Sequence, residues 1–149
     1  MIKAVIIDDE KNNIDNLAGL LKKHALNVEV IGIATNGDNG IEVILGTHPD
    51  LLFLDIQMPG KNGFDVLRAL PHHQFEVIFV TAYDQYGIQA VKFAAIDYLL
   101  KPINPEELKI SIAKVESKLN EKKGNLQLEN LLELIKNKDS KKEHKLALA

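Results

Sequence analysis

The chain has 149 residues, 18 Lys and Arg against 21 Asp and Glu for a formal net charge of −3, and no cysteine. That length suffices for one well-buried domain and a short appendage, and the missing cysteines exclude disulfides, thiolate metal sites and cysteine nucleophiles. No run approaches the ~18 uninterrupted apolar residues of a membrane span, and MIKAVIIDDE lacks the apolar core and cleavage site of a signal peptide, so a cytoplasmic protein with no membrane partner is expected.

Short β-rich apolar runs alternate with longer amphipathic ones. The predicted strands are KAVIID (3–8), VEVIGIA (28–34), LLFLD (51–55), EVIFVT (76–81) and DYLLK (97–101). Several are continuously apolar, as suits strands covered on both faces. Between them lie segments of helical length. In 12–25, Ile14, Leu17, Leu21 and Ala25 recur at helical spacing, and in 38–47 Ile41, Ile44 and Leu45 do so after Asp38 as N-cap. Segment 62–72 carries Phe64, Val66 and Leu67; segment 84–94 starts at Asp84 as a cap and carries Ile88 and Val91, with Ala95 beyond. Segment 104–122 opens with Asn104 as cap, Pro105 at the first helical position and acids in the first turn. Five βα units predict an α/β fold, a doubly wound five-stranded parallel sheet with helices on both sides, over residues 1–122.

Residues 123–149 read as a helical and charged linker. Leu128, Leu131, Leu132 and Ile135 fall at i, i+3, i+4 and i+7, either as a second helix or as a continuation of the fifth. Residues 1–113 carry a balance of −6 and residues 114–149 a balance of +3. An acidic body is a poor nucleic-acid binder by itself, and the lysines of the tail read as a solvated linker.

Two apolar strands end on carboxylates that are costly to bury. Asp8 and Asp9 close the first and Asp55 the third, while Thr81 ends the fourth and Lys101 the fifth. In an open parallel sheet the ligand crevice lies at the carboxyl ends of the strands, so these side chains are expected to crowd together. Three carboxylates there repel one another and are stable only around a cation. An all-oxygen donor set points to a hard ion, and Mg²⁺ fits. Lys101 supplies the remaining positive charge. Asp55 could then act as a nucleophile toward phosphorus, giving an aspartyl phosphate, with Thr81 donating to a phosphoryl oxygen. Pro59 and Gly60 turn the chain away and leave the site open.

IDDE (7–10), LDIQMPGKNGFD (54–65), FVTAY (79–83) and DYLLKP (97–102) together resemble the receiver domain of bacterial two-component response regulators. The resemblance implies a flavodoxin-like strand order 2-1-3-4-5. It also implies Asp55 as phosphoacceptor, Asp9 as a direct metal ligand, Asp8 as one acting largely through water, and the Gln57 backbone carbonyl as the third protein ligand. Lys101 becomes the phosphate-pairing lysine, followed by a cis Pro102. Thr81 and Tyr98 become the switch pair, and Gln57 and Tyr83 resemble the flanking positions that tune phosphoryl lifetime. The implied partners are a sensor histidine kinase and a second copy met through the face of helix 4, strand 5 and helix 5. No catalysis is implied beyond the chain's own phosphorylation and dephosphorylation. A narrower stretch, TAYDQYGIQAVKFAAIDYLLKPI (81–103), is similar to LytTR-type regulators, in which a β-rich DNA-binding domain follows the receiver. Such a domain would begin near KLALA (145–149), so DNA contact is expected only through an effector absent from this chain.

The sequence leaves two other functions open. One is a stand-alone receiver acting by protein contact without DNA. The other is a Mg²⁺-dependent phosphatase with an Asp nucleophile, although Asp55 is followed by IQMP rather than by the second acid of the haloacid-dehalogenase pattern DxDxT. The five histidines show no HExxH spacing, and His72 and His73 read as solvated loop residues after Pro71. The glycines form neither a P-loop nor GxGxxG, so no nucleotide site is expected. Tyr83 and Tyr86 read as surface aromatics.

Overall fold

The computed structural model describes the backbone of residues 1–148 and the side chains of residues 1–138. The chain divides into two units, Met1–Val115 and Glu116–Ala149. In the first, strands β1 (Ile2–Ile7), β2 (Val28–Ala34), β3 (Leu51–Leu54), β4 (Glu76–Thr81) and β5 (Asp97–Leu100) form one sheet in the order β2-β1-β3-β4-β5, every pair parallel. Helices α1 (Lys11–His24), α2 (Gly37–Thr47), α3 (Gly63–Arg68) and α4 (Gly87–Lys92) connect them, and α5 (Pro105–Leu148) follows β5. The predicted topology is the observed one.

Burial explains the sequence pattern strand by strand. All of β3 and β4 is buried, as their unbroken apolar runs require, while the edge strands β2 and β5 are only partly covered. Within each inner strand alternate residues serve opposite faces. Val5, Ile7, Leu52, Leu54, Val77 and Phe79 share one core with Ile44, Phe64 and Ala90 from α2, α3 and α4. Ile6, Phe53 and Val80 face a cavity that Leu17 of α1 also lines.

Several helix boundaries differ from the sequence-based ones. Asp38 does not cap α2. The Asn36 side chain accepts the Asn39 amide at 2.8 Å, and Asp38, inside the first turn, pairs with Lys61. Helix α3 starts with a reciprocal capping box between Asn62 and Asp65 and stops at Arg68, short of Pro71. Helix α4 starts after Tyr86 without a side-chain cap, so Asp84 is not its N-cap. Leu45, Ile88 and Val91 are exposed, the latter two at 79% and 76%. A six-residue helix needs only one inward position, and Ala90 fills it. Asn104 does cap α5, accepting the Glu106 amide at 2.8 Å. In the second unit α5 continues through Gly124, so the leucine-rich segment continues the fifth helix rather than forming another. The charged run beyond Lys138 and KLALA (145–149) lie outside the residues whose side chains are described.

The C-terminus of α4 makes a specific stability prediction. The Ala94 amide donates to Val91 O at 2.9 Å and the Ala95 amide to Ala90 O at 3.2 Å, the paired bonds of a Schellman ending. Ala94 takes the left-handed position, at φ 55°, that glycine normally fills. A left-handed alanine costs about 1–2 kcal/mol, partly offset by the greater unfolded-state entropy of glycine. Ala94→Gly should therefore raise the unfolding free energy by about 0.5 kcal/mol in urea titration.

Candidate phosphoryl-acceptor site

The sheet order makes the site. Because β1 lies between β2 and β3, and β3 between β1 and β4, the strand ends bearing Asp8, Asp55 and Thr81 are consecutive across the sheet. The backbone fixes them there. The Asp8 amide donates to Ala34 O at 3.1 Å, the Asp55 amide to Ile7 O at 3.0 Å and the Lys101 amide to Thr81 O at 2.8 Å. Each functional residue is thus tied to its neighbour strand just where regular pairing stops. Gly63 presses on the loop after β3, since a Cβ there would meet the Asp55 carbonyl oxygen at 2.4 Å. The same glycine donates its amide to Ile56 O at 2.9 Å.

Asp8 and Asp55 are buried and Asp9 is exposed, yet one ligand atom from each lies within 4.8 Å of the others. The Lys101 ammonium bridges two of them, at 2.7 Å from Asp8 Oδ2 and 3.0 Å from Asp55 Oδ2. The free oxygens are held by local donors. Asp55 Oδ1 accepts the Ile56 amide at 2.7 Å, and Asp8 Oδ1 accepts the Glu10 amide at 2.9 Å and Asn13 Nδ2 at 3.4 Å. The peptide bond from Lys101 to Pro102 is cis.

Electrostatics follow from that packing. Burial pushes the Asp55 carboxyl above the usual carboxylate range, although Lys101 pulls it down, and Asp8 adds to the rise. Asp9 is also raised, by burial and then by Asp8. Burial alone would lower Lys101, but its bonds to Asp8 and Asp55 outweigh that and hold the ammonium above the ordinary lysine value. One ammonium against three carboxylates leaves net negative charge, and the donor set is all oxygen. A hard divalent cation fits this arrangement.

The Thr81 hydroxyl is buried with no hydrogen-bond partner among the described residues. An unpaired buried hydroxyl is costly unless another state of the protein brings it an acceptor. Thr81→Val, which removes the orphan and keeps the branching, should raise unfolding stability by about 1 kcal/mol in urea titration.

The response regulator receiver domain family matches residues 4–113. The chain belongs to this family. Among curated relatives of the receiver, the Escherichia coli K12 transcriptional regulatory protein BtsR is 37% identical over 131 residues, 87% of this chain and 54% of BtsR. The sensory transduction protein LytT of Bacillus subtilis is 39% identical over 116 residues, 76% of this chain and 48% of LytT. The chain therefore spans about half the length of these relatives. The likeness to LytT agrees with the LytTR-type resemblance of residues 81–103. The solved REC domain of AraT, a response regulator from Geobacillus stearothermophilus, matches with a TM-score of 0.75 at 30% identity, covering 82% of this chain and 98% of that one.

On the receiver, the structure brings Asp8, Asp9, Asp55 and Lys101 together and places Thr81 at the adjacent strand end. Gln57 lines the same cleft as Asp9, Asp55, Tyr83 and Lys101. Tyr98 is half-buried on β5, and its hydroxyl donates to the Tyr83 carbonyl. Tyr86 is not simply a surface aromatic. It is half-buried, with its ring centroid 6.1 Å from that of Phe64 in a T-shaped contact and its hydroxyl accepting Gln57 Nε2 at 2.7 Å. His73 departs from a solvated loop residue as well: its ring stacks on Phe75 at 4.3 Å, and Nδ1 lies 2.9 Å from the Leu70 carbonyl.

Two supporting groups were missed from sequence. Asn13, five residues after Asp8, steadies that carboxylate from the first turn of α1. Asp97 at the start of β5 accepts the buried Ser111 hydroxyl at 2.5 Å and the Lys114 ammonium at 3.1 Å, tying the strand before Lys101 to α5. Burial would raise Asp97, but the Ser111, Tyr98 and Lys114 donors bring it below the usual range. A serine interrupting the apolar series Leu108, Ile112 and Val115 was the available signal for a buried acceptor opposite.

Proposed function

We propose that this receiver is a phosphorylation-operated switch with Asp55 as the phosphoacceptor. Receiver domains of response regulators pair with sensor kinases, and the donor proposed here is a phosphohistidine on such a kinase. An Asp55 carboxylate oxygen attacks phosphorus, the bond from phosphorus to the imidazole nitrogen breaks, and the imidazole leaves with that electron pair. The observation that carries this reading is the cleft-lining Asp55 carboxylate 3.0 Å from a lysine that it shares with Asp8. Asp8, Asp9, Asp55 and the Gln57 carbonyl would hold Mg²⁺, which when bound supplies charge neutralisation at the phosphoryl oxygens. Lys101 pairs with the transferred group, and Thr81 offers it an otherwise unpartnered hydroxyl.

Transfer adds charge and acceptor oxygens at one point, and a two-state element must sense them. Thr81 and Tyr98 are proposed as that element. The face of α4, β5 and α5 exposes Ile88, Val91, Leu100 and Ile110, which supports a second receiver as partner there. DNA contact would belong to the part of the longer relatives that this chain does not match, which agrees with BtsR being a transcriptional regulatory protein. The described residues contain no helix long and apolar enough to cross a membrane, and a cytoplasmic site of action is proposed. Catalysis is proposed to extend no further than the chain's own phosphorylation and dephosphorylation. The test is incubation with acetyl phosphate and Mg²⁺, followed by intact mass and sedimentation velocity. One added phosphoryl group and a faster-sedimenting species are expected. An unmodified mass overturns the reading.

A further inference from the structure

The geometry points to Tyr86 as a positioning residue that holds the Gln57 carboxamide out of the cleft and so lengthens the life of the phosphorylated state. Gln57 is exposed and lines the cleft with Asp55, whereas Tyr86 does not line it. The Gln57 Nε2 nevertheless donates to the Tyr86 hydroxyl at 2.7 Å, so the amide is drawn toward α4 rather than toward the acids. Tyr86 is a firm anchor for that bond. It is the residue immediately before α4, its ring meets Phe64 edge-on with centroids 6.1 Å apart, and Phe64 stacks at 5.2 Å on Phe93, the residue immediately after α4. Tyr83, also on the cleft, packs T-shaped against Tyr86 at 6.4 Å.

This inference rests on Asp55 as phosphoacceptor and adds a control on its hydrolysis. In that step a water oxygen bonds to phosphorus and the bond from phosphorus to the Asp55 oxygen breaks. The carboxylate leaves with the electron pair, and the water gives up one proton to bulk solvent as inorganic phosphate departs. A carboxamide free to enter the cleft can accept a hydrogen bond from that water and aim it, which is the role glutamine plays at other phosphoryl centres. Held by Tyr86, Gln57 is withheld from it.

Tyr86→Phe removes the hydroxyl and keeps the ring packing, so the fold is retained. The protein is labelled on Asp55 with acetyl phosphate and Mg²⁺, freed of donor, and the loss of label is followed in the unaltered chain, in Tyr86→Phe, in Gln57→Ala and in the double variant. Tyr86→Phe should lose label on the order of three- to ten-fold faster, the range set by one ordinary hydrogen bond. The double variant should decay like Gln57→Ala alone, because without the amide the tyrosine has nothing to restrain. An unchanged or slower decay in Tyr86→Phe overturns the inference, and so does an acceleration that persists without Gln57. Failure of the unaltered chain to take label overturns the phosphoacceptor reading itself, which separates the two.

Discussion

An Asp55→Asn chain should gain no phosphoryl mass from acetyl phosphate and Mg²⁺ under conditions that fully modify the unaltered protein. The amide retains the shape of the side chain but has no carboxylate to attack phosphorus. The same substitution should stabilise the fold at neutral pH. Burial holds the Asp55 carboxyl above its ordinary range, with Lys101 offsetting only part of the rise. The native chain therefore binds more protons than the unfolded one between the ordinary and the elevated pKa, and stability falls as pH rises through that window. The carboxamide of the variant does not titrate. Urea midpoints of the two proteins should differ most at neutral pH, in favour of the variant, and the gap should close as pH drops below the usual carboxylate value. Uptake of label by the variant at another residue would move the acceptor; an Asp55→Asn midpoint below that of the parent at neutral pH would contradict the electrostatic account.

Removing the lysine should have the largest effect on stability. Lys101→Met leaves Asp8 and Asp55, both buried, without the ammonium that sits 2.7 and 3.0 Å from them. Breaking such a group by deleting one member costs about 3–5 kcal/mol when it is fully buried, and here somewhat less because Lys101 is half-buried, so a loss of about 2–4 kcal/mol is expected. The loss should shrink in acid, where protonation relieves the repulsion. In the parent, the lysine's contribution is complete below its ordinary pKa and disappears as pH rises through the elevated native one. Millimolar Mg²⁺ should recover part of the deficit in the variant, since a cation bound only by the native state raises its stability. Urea titrations across pH, with and without the ion, check all three statements. A variant as stable as the parent and indifferent to Mg²⁺ would mean that the acids are not mutually repulsive.

Much of this was readable from the chain, and what was readable had a physical reason. Strands buried on both faces announce themselves as unbroken apolar runs, and LLFL ending on Asp55 or EVIFVT ending on Thr81 gives both the element and the end where chemistry gathers. The convergence of Asp8, Asp55, Thr81 and Lys101 follows from parallel strands set side by side in the order β1-β3-β4-β5, an order that the family resemblance implied. Short helices were less legible. Ile88 and Val91 have helical spacing but lie outward, because periodicity marks an apolar face without saying whether this protein or a partner covers it. Two cap positions slipped by two residues, Asp38 for Asn36, where two polar candidates competed, and Asp84 for Tyr86, which makes no side-chain cap. Tyr86 was missed as a hydrogen-bonding group because its partner Gln57 is 29 residues away, and no local pattern links them.

The sheet order carries one more consequence. Asp8 and Lys101 stand near opposite ends of the first unit's sequence, and they meet only when β1, β3, β4 and β5 are all in register. A nascent or partly unravelled chain has each reactive group but not their conjunction. If Asp55 is the acceptor proposed above, its loading would be self-proofreading: only a finished molecule would take up the signal, and misassembled copies would stay silent rather than report falsely.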